Sequence, residues 1–221
     1  MSNVLTSPVP AHLEGDAAEC VVEAVTPANC PFYQIIKRCF DFFAALIIGS
    51  VLLLPLLVIG LLIRIESPGP AIFRQERMGK DGKSFMIYKF RTMRINAPPE
   101  LAAREFVNSD AYITKIGAVL RRTSIDELPQ LLNILRGEMS FVGYRPVCLS
   151  ETKLNELRRD YGVFAVRPGL TGYAQICGRD NVDYQQKAAL DAEYVSKYGI
   201  RMDLWCLIKT VDIVFTGEGV N

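Results

Sequence analysis

Residues 42–63 read FFAALIIGSVLLLPLLVIGLLI, 22 positions without a charge. As a straight helix the run reaches roughly 33 Å, about the thickness of a bilayer's hydrocarbon core. One membrane span is the simplest expectation. Pro55 lies just past the middle, where it removes a backbone hydrogen bond and kinks a helix. Lys37 and Arg38 precede the run, and Arg64, Arg74, Arg77, Lys80 and Lys83 follow it. Positive residues mark the cytoplasmic side, and here both flanks carry them. A helix bent at Pro55 can therefore enter and leave through one leaflet, with Asp41 pairing with Lys37 and Arg38 at headgroup level. Composition alone leaves span and re-entrant hairpin equally favoured.

The chain has 221 residues, 50% of them apolar, and 25 Lys+Arg against 24 Asp+Glu. That excludes a disordered chain. The net charge of +1 argues against a nucleic-acid binder, which usually carries a basic excess. Residues 1–30 hold four acids and no Lys or Arg, and read as a flexible acidic arm rather than a secretory signal. Residues 37–94 hold ten basic and four acidic side chains, a local net of +6 that suits lipid headgroups or a phosphorylated substrate. The six cysteines form no C-x-x-C pair and His12 is the only histidine, so a Cys/His zinc site is not expected and the thiols read as reduced.

After Arg64, Ser67-Pro68-Gly69-Pro70 breaks the helix. Residues 71–75 and 85–90 have strand character around the turn Gly79-Lys80-Asp81-Gly82. Residues 95–109 are polar and read as a loop with a short helix. Helical spacing recurs over 111–122, and Leu128, Leu131, Leu132 and Leu135 trace an amphipathic helix ended by Gly137. The stretch EMSFVGYRP reads as irregular, and 163–180 as loop with one short strand. Two further helices cover 184–198 and 203–215, the second with one apolar face that packs in the core or lies in the membrane interface.

Asp126-Glu127 opens the leucine helix, and Pro129 locates that start, because proline is comfortable only in a first turn. This favours Asp126 at or next to the cap over a capping box of Ser124 and Glu127. Acids are common at helix starts simply because they satisfy free N–H groups. The same dipole keeps Asp126 ionised, as a carboxylate nucleophile must be. Adjacent carboxylates can also share Mg²⁺. Around them in sequence stand Lys89, Arg91, Arg94, Arg121, Arg122, Arg145, Arg167 and Arg179, many beside Gly or Pro. Arginine forks suit phosphate oxygens. No G-x-x-x-x-G-K-[ST], G-x-G-x-x-G, H-E-x-x-H or G-x-S-x-G motif is present. Acid pair, loop arginines and membrane segment together point to phosphoryl chemistry on a lipid phosphate.

Five stretches, KRCFDFFAALI with Pro55, SPGPAIFRQERMGKDGKSFMIYKFRTM, RRTSIDELPQLLNILRGEMSFVGYRP, VRPGLTGYAQICGR and LWCLIKTVDIVFTGEG, together resemble the bacterial sugar transferases, monotopic phosphoglycosyl transferases acting on polyprenyl phosphate. The resemblance runs from about residue 33 to 219. It implies transfer of a sugar-1-phosphate from a UDP-sugar to undecaprenyl phosphate, with release of UMP. Asp126 would be the nucleophile carrying a covalent phosphosugar, and Glu127, with Asp126, would hold Mg²⁺. Lys89, Arg91, Arg121, Arg145 and Arg179 would contact substrate phosphates. The implied fold is α+β and mostly helical. It comprises the arm (1–32), a re-entrant membrane helix broken near Pro55 (33–66), and a cytoplasmic membrane-associated catalytic domain (67–221) with amphipathic interfacial helices and a short β element. The implied location is the bacterial inner membrane, on its cytoplasmic leaflet, with a homodimer among the possible states and the pathway a glycan such as exopolysaccharide, capsule or O-antigen.

Two positions depart from the family pattern. Leu54-Pro55 stands where relatives often have Ser-Pro, and Tyr144 stands in Gly143-Tyr144-Arg145-Pro146 where they often have a second proline. Arg145 thereby loses one rigid neighbour. Two rival expectations are a membrane-anchored scaffold without activity and a lipid-phosphate hydrolase using the same acids.

Overall fold

A computed structural model describes residues 24–27, 31–97, 112–177 and 182–216. Helix α1 runs unbroken from Pro31 to Glu66, with Pro55 inside it. It is long and apolar enough to cross a membrane, and only 6% of its most apolar stretch is buried. A core helix of a soluble protein would be mostly buried, so α1 is compatible with a membrane anchor. The hairpin expected from Pro55 is not visible as an interruption of the helix.

Two ends of α1 touch the rest of the protein while its middle stands free. Lys37, Asp41 and Ala45, one helical turn apart, are buried. Leu56, Ile59 and Ile63 pack into a second cluster with Phe90 and Leu120. Between the two contacts, Leu46, Ile47, Ile48, Val51, Leu53 and Leu54 are exposed. The sequence suggested that Asp41 pairs with Lys37 and Arg38, but each of these charges finds its partner elsewhere. Lys37 pairs with Asp203, Asp41 accepts from the Phe141 N–H, and Arg38 donates to the Ile134 and Leu135 carbonyls. Charge at this end docks the helix.

Strands β1 (Ile72–Met78) and β2 (Ser84–Phe90) form the expected antiparallel hairpin, with Ile72 opposite Phe90 and Met78 opposite Ser84. Its turn places Asp81 (φ 57°) and Gly82 (φ 69°) in the left-handed region, which Asp and Gly tolerate best. Helix α2 (Lys115–Arg122) follows, N-capped by Thr114. A 3₁₀ turn, Ile125–Gln130, leads into α3 (Leu131–Arg136), which Gly137 ends at φ 82°. Strand β3 (Ser140–Val142) lies within the stretch read as irregular, and it pairs in parallel with β4 (Gly169–Thr171). Helix α4 (Thr152–Asp160) has no counterpart in the sequence reading. Helices α5 (Tyr173–Cys177), α6 (Tyr184–Ser196) and α7 (Ile200–Thr216) complete the order.

The main core joins β3, α6 and α7 through Val142, Tyr144, Val163, Phe164, Ala192, Tyr194, Val195 and Cys206. A second core joins α1 to β2 and α3 through Ala45, Ile87, Leu131, Ile134 and Met139. Helix α7 serves the core on one face only: Asp203 and Cys206 are buried, while Ile200, Leu204, Ile208 and Val211 are exposed on the other. The architecture is thus mostly helical with two small two-stranded sheets. Cys39, Cys148, Cys177 and Cys206 are free thiols, whereas Cys20 and Cys30 lie outside the described residues.

Candidate active site

The acid pair sits on the 3₁₀ turn that packs against β2. Asn133, fully buried on α3, pins this arrangement. Its Oδ1 accepts from the Tyr88 N–H at 3.1 Å, and its Nδ2 donates to the Met86 carbonyl and to Glu138, both at 2.7 Å. A side chain that satisfies a donor and an acceptor on the free edge of β2 fixes the register of turn and sheet. Pro129 and Gln130 are buried beneath the acids.

The turn differs from the helix cap expected there. Ser124 holds the cap position in the left-handed region (φ 55°) and makes no side-chain cap. Asp126 and Glu127 therefore sit within a 3₁₀ turn, and the α-helix begins only at Leu131. Proline inside the turn explains this, because Pro129 has no N–H to give an α-helical bond. A non-glycine residue at positive φ, two positions before a candidate nucleophile, is the kind of backbone strain found at active sites.

The two acids occupy different environments. Glu127 Oε1 accepts from Lys89 Nζ at 2.8 Å and from Arg145 Nη2 at 2.7 Å. Burial pushes its carboxyl up, but the charges and hydrogen bonds of Arg145 and Lys89 outweigh that and hold it at about 2. Asp126 makes no hydrogen bond or ion pair among the described residues. Burial pushes its carboxyl above the ordinary carboxylate value, the Glu127 charge adds to that, and Lys89, Arg121 and Arg145 oppose it. The helix-start argument for a strongly ionised Asp126 thus misses the larger effect, desolvation. Lys89 is itself lowered, by burial and by Arg145.

Lys89, Arg121 and Arg145 are brought to the acids; Arg121 also donates from Nε to Thr92 Oγ1 at 3.0 Å. Arg91 is placed elsewhere. Its guanidinium donates to the carbonyls of Ser67 at 2.6 Å and Pro68 at 2.7 Å, closing the C-terminus of α1. Arg179 lies outside the described residues. Two cations missed in sequence share the site's field. Arg77 on β1 is lowered by burial, and Lys187 on α6 by burial and by Arg158. Their signal was weak, since each is one lysine or arginine in a regular element.

Among the described residues, no three His, Cys, Asp or Glu side chains cluster to hold a metal. Two adjacent carboxylates still suit Mg²⁺, which takes one or two protein carboxylates and completes its shell with water and substrate phosphates. Both Glu127 oxygens already accept from cations, so the donor set fits the ion together with a phosphate ligand rather than alone.

A family model described as bacterial sugar transferase matches residues 32–217. An exopolysaccharide production protein of Rhizobium leguminosarum bv. phaseoli is 43% identical over 187 residues, 80% of this chain and 94% of its own length. A UDP-galactose-lipid carrier transferase of Erwinia amylovora is 38% identical over 200 residues, 84% of this chain but 42% of its own length. A UDP-N-acetylgalactosamine-undecaprenyl-phosphate N-acetylgalactosaminephosphotransferase of Aeromonas hydrophila is 36% identical over 198 residues, 86% of this chain and 46% of its own length. The chain thus spans less than half of some relatives and nearly all of another. With the matched region holding α1, the acid pair and its cations, this chain belongs to the bacterial sugar transferase family.

Proposed function

We propose that this enzyme transfers a sugar-1-phosphate from a UDP-sugar to undecaprenyl phosphate. The observation that carries the reading is the division between the two acids: Glu127 is locked by Lys89 and Arg145, and Asp126 beside it is unpartnered among the described residues. The activities for which the Erwinia and Aeromonas relatives are named, one on a lipid carrier and one on undecaprenyl phosphate, suggest the substrate classes.

In the first step a carboxylate oxygen of Asp126 attacks the β-phosphorus of the donor. The bond from that phosphorus to the bridging oxygen breaks, and UMP leaves with the electron pair. In the second step an oxygen of undecaprenyl phosphate attacks the same phosphorus. The acyl phosphate bond breaks, and Asp126 returns as a carboxylate in company with undecaprenyl-diphosphate-sugar. Displacement at phosphorus needs positioning and charge neutralisation more than a strong base. Lys89, Arg121 and Arg145 supply both at the acid pair. Glu127 and Asp126 would hold Mg²⁺, which supplies further neutralisation of phosphate charge.

The contacts at both ends of α1 support a re-entrant membrane helix. A helix that crosses a bilayer puts its ends on opposite faces, yet here Lys37 and Ile63 both pack on one small domain. The basic flanks of α1 support a position of that domain on the cytoplasmic leaflet.

The test uses protein in lipid nanodiscs with Mg²⁺, undecaprenyl phosphate and a panel of UDP-sugars. UMP release that needs both the lipid and Asp126, and a mass increase of one phosphosugar on the protein when the lipid is withheld, is the expected result. Wild-type turnover by Asp126→Asn would overturn the covalent step. Inorganic phosphate or free sugar phosphate in place of lipid product would make the enzyme a hydrolase.

A further inference from the structure

Arg145 is held in place by a side chain that never reaches the acids. Arg158, on α4, is fully buried. Its Nη1 donates to the carbonyl oxygen of Arg145 at 2.9 Å, and its guanidinium carbon stands 5.1 Å from the centre of the Tyr144 ring. On the other side, Nε donates to Asp191 Oδ2 on α6 at 2.8 Å, and Nη2 reaches the same oxygen. Asp191 is 1% exposed and has Arg158 as its ion-pair partner. One planar fork therefore grips two consecutive residues, the ring of one and the carbonyl of the next.

The backbone just upstream is fixed as well. The Gly143 N–H donates to the Thr171 carbonyl, and the Gly169 N–H donates to the Tyr144 carbonyl, both at 2.9 Å. A Cβ at Gly143 would stand 2.3 Å from the Arg167 carbonyl oxygen, so only glycine permits this approach. At Arg145 itself the Arg158 fork holds the carbonyl, and two residues on, the Met78 N–H donates to the Val147 carbonyl. The pair is also costly to bury: two ions leave water without meeting substrate or solvent. A merely stabilising role would be served as well by apolar residues of similar size.

We propose that Arg158 and Asp191 are positioning residues for the transferase reaction, acting through Tyr144 and the backbone of Arg145 to aim the Arg145 guanidinium at Glu127 and the donor phosphates. The Tyr144 ring, stacked on Arg158, stiffens the chain immediately before Arg145. The role as a determinant of turnover rests on the proposed sugar-phosphate transfer; the aiming of Arg145 does not.

The decisive variant is the pair Arg158→Met with Asp191→Leu, because an apolar pair of similar volume leaves no orphaned charge and preserves stability. UMP release in nanodiscs is expected to fall about 10-fold in kcat/KM, a usual loss when a supporting contact is removed, while the melting temperature stays within a few degrees of wild type. Adding Arg145→Gln should then cost no more than Arg145→Gln alone, since both changes remove one function. A stable double variant with wild-type kcat/KM, or losses that multiply with Arg145→Gln, overturns the proposal. Arg158→Lys is the second variant, for the case that the apolar pair does not fold. It keeps a cation for Asp191 but cannot hold the Arg145 carbonyl at the same time. The crystal structure of either folded variant should show Arg145 released from Glu127, and an unchanged Arg145–Glu127 contact overturns the proposal whatever the activity. Absence of UMP release from the wild-type protein counts against the transfer reading and leaves that structural comparison to decide the positioning role.

Discussion

Lys89 Nζ, on β2, donates to Glu127 Oε1 at 2.8 Å, joining residues 38 positions apart. Lys89 also lies in the field of Asp126, where it is the first of the charges that oppose desolvation. One ammonium thus holds one acid and keeps its neighbour ionisable.

The acid limb of the pH–rate profile is expected to follow Asp126. Its carboxyl lies above the ordinary 3.8, so activity should begin to fall at a pH higher than an exposed aspartate would give. Lys89→Met removes a charge that lowers this carboxyl and should move the limb to still higher pH. Measuring kcat/KM for UMP release between pH 4 and 8 checks both; a limb unmoved by Lys89→Met would detach Lys89 from Asp126.

Glu127 should titrate stability in the opposite sense. Its folded value of about 2 lies below the ordinary 4.5, so its contribution is complete above the ordinary value and disappears as pH falls toward 2. The stake is on the order of 3 kcal/mol by linkage. Urea midpoints of wild type and Glu127→Gln, compared between pH 7 and pH 3, should converge at the acid end. Parallel curves would mean that Lys89 and Arg145 do not stabilise the ionised form.

Asn133→Leu should damage both fold and site, since it strands the Tyr88 N–H and the Met86 carbonyl of β2. A loss of about 3 kcal/mol is expected for two buried backbone groups without partners. Hydrogen exchange should speed up at Met86 and Tyr88 well before it does in α6. Uniform protection would place the role of Asn133 elsewhere.

Asp203 gathers Lys37 and Tyr33 from α1 and Tyr194 from α6. Asp203→Leu should cost about 3–5 kcal/mol by leaving Lys37 buried and unpaired. Pairing it with Lys37→Met should restore most of that. Thermal unfolding of the single and double variants reads the difference, and a single variant as stable as wild type would show that the ion pair does not dock α1.

Much of this was legible in the sequence. The apolar run, the hairpin around Gly79 and Gly82, the helix stop at Gly137 and the last two helices follow from period and turn chemistry. Asp126, Glu127, Lys89 and Arg145 were visible because their types suit phosphate and their neighbours resemble a family. What stayed hidden depends on tertiary contact. Helix α4 is polar on most of its surface, so TKLNELRRD shows little apolar period. Arg158 and Asp191 went unmarked in the sequence, because nothing local signals that they meet 33 positions apart. Arg91 resembled a phosphate ligand, yet the carbonyls of Ile63, Ser67 and Pro68, at and just past the end of α1, engage it first. The 3₁₀ start of the leucine helix came from Pro129, whose consequence was read as a choice of cap rather than a change of helix type.

Because the domain grips α1 near Lys37 and again near Ile63, the helix works as a bracket and not as a tether. A tether lets its cargo swing and lift; a bracket sets one height. On the re-entrant reading proposed above, with the free middle of α1 in lipid, Asp126 would ride at a constant level above the acyl chains, whatever the thickness of the bilayer beyond the first leaflet. Lengthening the lipids would strain a protein that crosses the membrane, but on that reading it would leave this one at the same draught.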